Sequence, residues 1–141
     1  MIELDGALTE LARLRSGSEP IVTLTLDVRW GDEQQRSRVR LFVQERIRQI
    51  GTRYPAGTPG RDGLARTLVQ IHDHVAALTR RALEEEKRGH TLFACEGLGL
   101  WRPMFFARPL ENALDTDAIP HLLQLARLVD DVAPAIVVVP A

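Results

Sequence analysis

The chain has 141 residues and a mass of 15.8 kDa, enough for one domain with a buried core and too little for two catalytic domains. A hydrophobic fraction of 45%, a charged fraction of 26% and a mean hydropathy of -0.10 exclude a disordered or fibrous chain, and no apolar run approaches the roughly 18 residues of a membrane span. The net charge of -1 gives no bulk attraction to nucleic acid or anionic lipid, so such a partner has to be met by a local patch. A single cysteine, Cys95, excludes an intrachain disulfide and any multi-thiolate zinc site. The opening residues MIELDGALTE are acidic and carry no secretory signal, so a cytoplasmic location and no membrane partner are expected.

Leu4, Leu8 and Leu11 stand at helical spacing, predicting a first helix over residues 3–15 that Ser16, Gly17, Ser18 and Pro20 interrupt. From Ile21 the period becomes two, with Val22, Leu24, Leu26 and Val28 alternating with Thr23, Thr25 and Asp27, the pattern of a half-buried strand. Asp32 is placed to cap a second helix, with Gln35 completing a capping box. That helix should carry a core stripe of Val39, Val43, Ile47 and Ile50 and stop at Gly51. Residues 53–63, RYPAGTPGRDG, read as a loop with a polar, basic tip. A long helix should follow, with the stripe Leu64, Leu68, Ile71, Val75, Leu78 and Leu83, ending at Lys87, Arg88 and Gly89.

TLFACE (residues 91–96) suits a central strand, and Gly97 and Gly99 supply a turn into a second strand at residues 103–108. Asp115, Thr116 and Asp117 offer caps for a last helix with Pro120 in its first turn and Ile119, Leu122, Ala126 and Val129 buried. A valine-rich strand, Ala135 to Val139, closes the chain. This order predicts an α+β domain over residues 1–133, a small mixed sheet covered by helices. The terminal segment, residues 134–141, either opens a second domain or joins this domain's own sheet; in the first case it could also pair with another copy of the chain to give a homodimer.

The succession TLTLDVR (23–29), DEQQRSRVRLFVQERIRQIGT (32–52), HTLFACEGLGLW (90–101), RPMFFARPL (102–110), PHLLQLARLVDD (120–131) and AIVVV (135–139) resembles the amino-terminal domain of archaeo-eukaryotic class-one release factors and their Pelota-like relatives. The resemblance is closest to the bacterial branch of that superfamily and spans essentially the whole chain, resting on element order and short strand phrases. It implies a ribosome-directed protein of termination, rescue or dormancy, with this domain a non-catalytic binding module followed by further domains of the same polypeptide. The family's Asn-Ile-Lys-Ser motif, which helps read the stop codon, is replaced here by RYPAGTPGRDG, and the Gly-Gly-Gln tip of the middle domain does not occur in this sequence.

Of the 18 basic residues only Lys87 is a lysine, and Arg36, Arg38, Arg40, Arg46, Arg48 and Arg53 crowd residues 34–53 against one acid, Glu45. Arginine's planar fork matches phosphate oxygens, so Arg36, Arg40 and Arg48 on the second helix, with Arg53 and Arg61 at the loop, are the candidates for contacting structured RNA or the ribosome. The competing reading is a solvated helix face on a protein-protein interaction or oligomerisation domain that touches no nucleic acid. Arg46, four residues after Phe42 and three after Val43, belongs at the edge of the apolar stripe as a structural residue. His72 and His74 point to opposite sides of a helix and His90 and His121 stand apart, so no metal or cofactor site is expected. Cys95 reads as a buried thiol, and Trp30 and Trp101 at strand ends read as core caps in preference to base-stacking platforms. No nucleophile and base can be paired, so no enzymatic activity is assigned to these residues.

Overall fold

A computed structural model of the chain describes residues 2–130 and 136–138; the expectations that fall on residues 131–135 and 139–141 lie outside them. The elements in order are β1 (Ile2–Glu3), α1 (Leu4–Ala12), β2 (Ile21–Asp27), α2 (Gln35–Arg53), α3 (Arg61–Leu78), β3 (Gly89–Cys95), a 3-10 turn (Glu96–Leu98), β4 (Leu100–Phe106), β5 (Ala113–Asp117), α4 (Leu123–Asp130) and β6 (Ile136–Val138). The strands form one sheet in the order β1-β6-β4-β3-β2-β5. The fold is α+β, as expected, but every pairing is antiparallel where a mixed sheet was expected. Val137 pairs with Ile2 on one side and Phe106 on the other, so β6 is flanked within its own chain and offers no free edge there for a second copy.

Two helical layers enclose the sheet. Val22, Leu24, Leu26, Leu92 and Phe105 pack against Val39, Val43 and Ile50 of α2 and Leu64, Ile71 and Val75 of α3. On the other face Phe93, Met104 and Phe106 meet Leu4 and Leu11 of α1 and Leu125 and Leu128 of α4. Removing each such side chain from water contributes roughly 1.5–3 kcal/mol. Strand β2 is therefore buried on both faces, and its threonines are paired internally. The Thr25 hydroxyl donates to the Glu111 carbonyl (2.7 Å) and accepts from the Gln124 amide (2.9 Å), while Thr23 accepts from the His121 N–H (3.0 Å). A hydroxyl satisfied inside the protein is cheap to bury, which is why the polar half of the alternation does not face solvent.

Several boundaries move for identifiable reasons. The α2 helix starts at Gln35, whose amide donates to the Asp27 carbonyl (2.9 Å) and forms no capping box; Asp32 accepts from the Gln34 N–H instead (3.0 Å). It then passes through Gly51 to Arg53. The α3 helix opens at Arg61 on Gly60, whose φ of 79° is left-handed, and ends at Leu78, well short of Arg88. Gly89 is no helix terminus: it starts β3, where a side chain would meet the Arg108 carbonyl at 2.3 Å. Residues Asp115, Thr116 and Asp117 do not cap a helix but pair with β2 as β5. The α4 helix consequently buries Leu125 and Leu128, while Ile119 and Val129 lie exposed.

Candidate nucleic-acid interface

The α2 helix lies over the sheet with Val39, Val43 and Ile50 inward, which fixes where its arginines point. Arg40 is exposed and, among the described residues, holds only the Ser37 hydroxyl, at 3.1 Å. Arg48 is exposed and grips Glu45 with both arms of its fork (Nε to Oε2 3.1 Å, Nη2 to Oε1 2.5 Å), which holds the Glu45 carboxyl below the usual range. Arg53 ends the helix, exposed and without a hydrogen bond or ion pair among the described residues.

Arg36 and Arg61 do not belong to that surface. The Arg36 Nη1 donates to the carbonyls of Thr79 (2.8 Å) and Arg81 (2.9 Å), and its guanidinium lies over the Trp30 ring, 5.2 Å from the centroid. It joins the start of α2 to the end of α3, satisfying carbonyls that a helix terminus leaves open. Arg61 is half-buried and donates from Nε to the Tyr54 carbonyl (2.9 Å), closing the loop between α2 and α3. Arg46 holds its expected structural place: Nη2 and Nε reach the Leu114 carbonyl at 2.8 and 3.2 Å, covering part of the outer edge of β5. The structure thus leaves Arg40, Arg48 and Arg53 facing solvent.

The other singled-out residues resolve individually. Trp30 is half-buried beneath Arg36, whereas Trp101 is 41% exposed and rests edge-on against His74 (5.6 Å between centroids). His74 and His90, sixteen residues apart, meet through their Nε2 atoms at 2.9 Å. His90 is fully buried between His74 and Phe105, its Nδ1 without a hydrogen bond among the described residues, and burial with the neighbouring His74 pushes its pKa down to about 3. Burial and the Arg81 charge lower that of His74. No spacing rule brings a helix residue onto a strand residue, so the sequence carried no signal for this pair. Cys95 is buried and its thiol donates to Glu19 Oε2 (3.2 Å); burial, followed by that carboxylate, raises its pKa, which suits an inert thiol. Among the described residues no group of three or more His, Cys, Asp or Glu is placed to hold a metal ion. No helix among them is long and apolar enough to cross a membrane.

No protein family model matches the sequence, and no curated protein matches it. Solved structures do. A chain titled "Archaeal protein" superposes with a TM-score of 0.63 at 19% identity, over 91% of this chain and 35% of that one. The archaeal translation termination factor aRF1 superposes with a TM-score of 0.55 at 16% identity, over 89% of this chain and 34% of that one. What they share is the fold. The chain spans about a third of the length of each of these structures.

Proposed function

We propose that this chain is a non-catalytic RNA- or ribosome-binding domain of a release-factor-like protein of translation termination, rescue or dormancy, related to the bacterial branch of that superfamily. The reading is supported above all by three exposed arginines, Arg40, Arg48 and Arg53, on one helix of a fold shared with an archaeal termination factor. Guanidinium groups held on a rigid helix and free of deep burial suit phosphate oxygens, and the local patch supplies what a chain of net charge -1 lacks in bulk. Arg53 has no competing carboxylate among the described residues, and Arg48 can exchange Glu45 for phosphate because their pairing is solvent-exposed and weak. Peptidyl-tRNA hydrolysis, in a protein of this kind, would reside outside these residues, and the purified domain should show none above buffer. Replacing Arg40, Arg48 and Arg53 with glutamine should weaken ribosome or RNA binding and flatten its salt dependence. Unchanged binding would leave a protein-protein interaction domain as the better reading.

A further inference from the structure

Where β2 ends, a cleft of about 540 Å³ opens between the Asp27–Arg29 segment, the β4–β5 connection and α4. That volume lies within the range of small-molecule sites. Its apolar part is the exposed ring of Pro109 with the small accessible parts of Leu110 and Leu128, 7% and 6% exposed. Most of its polar wall is spent internally. Gln124 donates to Thr25 and to the Glu111 carbonyl (2.9 and 3.2 Å) and accepts from the Glu111 N–H (2.9 Å), and Asp27 is clamped by the Arg29 fork (2.6 and 3.0 Å). Asn112 accepts the Asp27 N–H at Oδ1 (2.9 Å), extending the β2–β5 ladder by one side chain.

Two lining donors are left over. The Asn112 Nδ2 and the exposed Arg127 guanidinium have no hydrogen-bond or ion-pair partner among the described residues. Asn112 thus offers a free amide donor beside an oxygen with a second lone pair, the side-by-side donor and acceptor that reads the edge of a nucleobase. Arg127 supplies one positive charge, offset at the rim by the exposed carboxylate of Glu111, so the cleft suits a singly charged group better than a polyanion. We infer that this cleft takes one unstacked nucleotide of a bound RNA, its base against Pro109 and the accessible parts of Leu110 and Leu128, with its edge on Asn112 and its phosphate on Arg127. The inference rests on the RNA-binding reading above and adds to it a site for a single-stranded nucleotide, on a different part of the surface from the α2 arginines.

The test uses the full chain, an RNA hairpin with a single-stranded loop, the same stem as a blunt duplex, and the 2′,3′-cyclic monophosphate of each of the four nucleosides, a mononucleotide whose phosphodiester carries one charge like an RNA linkage. Asn112→Asp, made together with Glu111→Gln so that the net charge lining the cleft is unchanged, keeps the Oδ1 acceptor for Asp27 and removes the donor, so it separates recognition from folding and from charge. At least one mononucleotide at millimolar concentration should shift the Asn112 side-chain amide resonance. This paired substitution should weaken binding of the looped RNA about tenfold, the worth of one good base-edge pairing, and leave the duplex and the salt slope unchanged. Arg127→Gln should act in the same direction. Salt-dependent RNA binding of wild-type strength in the paired variant, with an undisturbed Asn112 amide in the wild type, overturns the cleft and leaves the RNA reading standing. Failure of the wild-type chain to bind either RNA overturns both.

Discussion

The distinction between Arg36 and Arg40 shows how one turn of helix changes what an arginine does. Arg36 stands three residues before Val39 and seven before Val43, on the buried stripe, and its bonds to the Thr79 and Arg81 carbonyls follow from that phase. The spacing was legible in the sequence, but the charge of the side chain argued for solvent; for Arg46 the same spacing argument gave the right place. Arg36→Gln should therefore destabilise the fold by about 1–3 kcal/mol, because it removes charge-assisted bonds to part-buried carbonyls. Arg40→Gln should stay within about 0.5 kcal/mol. Denaturant unfolding of the two variants checks the contrast, and equal effects would contradict it. A second test on single residues lies in the His74–His90 contact. Both pKa values are lowered in the folded state, so below the ordinary histidine range the unfolded chain takes up protons that the folded chain refuses. Stability should be flat above pH ~6.5 and fall as the pH drops toward about 3, with His90 contributing up to one proton, about 1.4 kcal/mol per pH unit. His90→Gln should remove that part of the slope in a pH series of unfolding curves; an unchanged slope would show that His90 protonates normally.

Among the elements, helix cores were readable and helix ends were not. The apolar stripes of α2 and α3 appear where 3.6-residue spacing places them, but their ends depend on partners distant in sequence. The end of α3 meets Arg36, and its start meets the segment before β2, where Ser18 and Glu19 pack against Gly60 and Gly63. A methyl group on Gly60 would lie 2.3 Å from the Ser18 carbonyl oxygen at a φ of 79°, whereas Gly57, at a φ of 92°, has open space around its Cα. Both substitutions by alanine incur the left-handed cost of about 1–2 kcal/mol. Only Gly60→Ala adds a backbone collision, so it should lower the melting temperature clearly more than Gly57→Ala. Similar decreases would mean that the Ser18 contact contributes little. For α4 the overlapping leucines of PHLLQLARLVDD allow two stripes, and only its packing against α1 selects Leu125 and Leu128.

Over the whole molecule, element order carried the α+β class because strand and helix periods alternate along the chain, whereas sheet direction and double coverage depend on which strands meet. Thr23 and Thr25 made β2 look half-exposed, since nothing local announces that His121 and Gln124, nearly a hundred residues on, will satisfy them. The candidate interface was legible as an arginine-rich segment but not as a surface, which required α2 to dock before Arg36 and Arg61 could be separated from Arg40, Arg48 and Arg53. The polar cleft, assembled from three separated segments, had no sequence signature at all. Whether phosphate contacts from α2 drive association with RNA is tested most directly by a salt titration of ribosome binding, with the wild-type chain beside the Arg40→Gln, Arg48→Gln, Arg53→Gln triple variant. The wild type should show a log-log salt slope whose magnitude falls in the variant by roughly 0.7 to 0.9 for each phosphate no longer neutralised, with the variant's fold intact. A wild-type association indifferent to salt, or a variant that keeps the full slope, would contradict it.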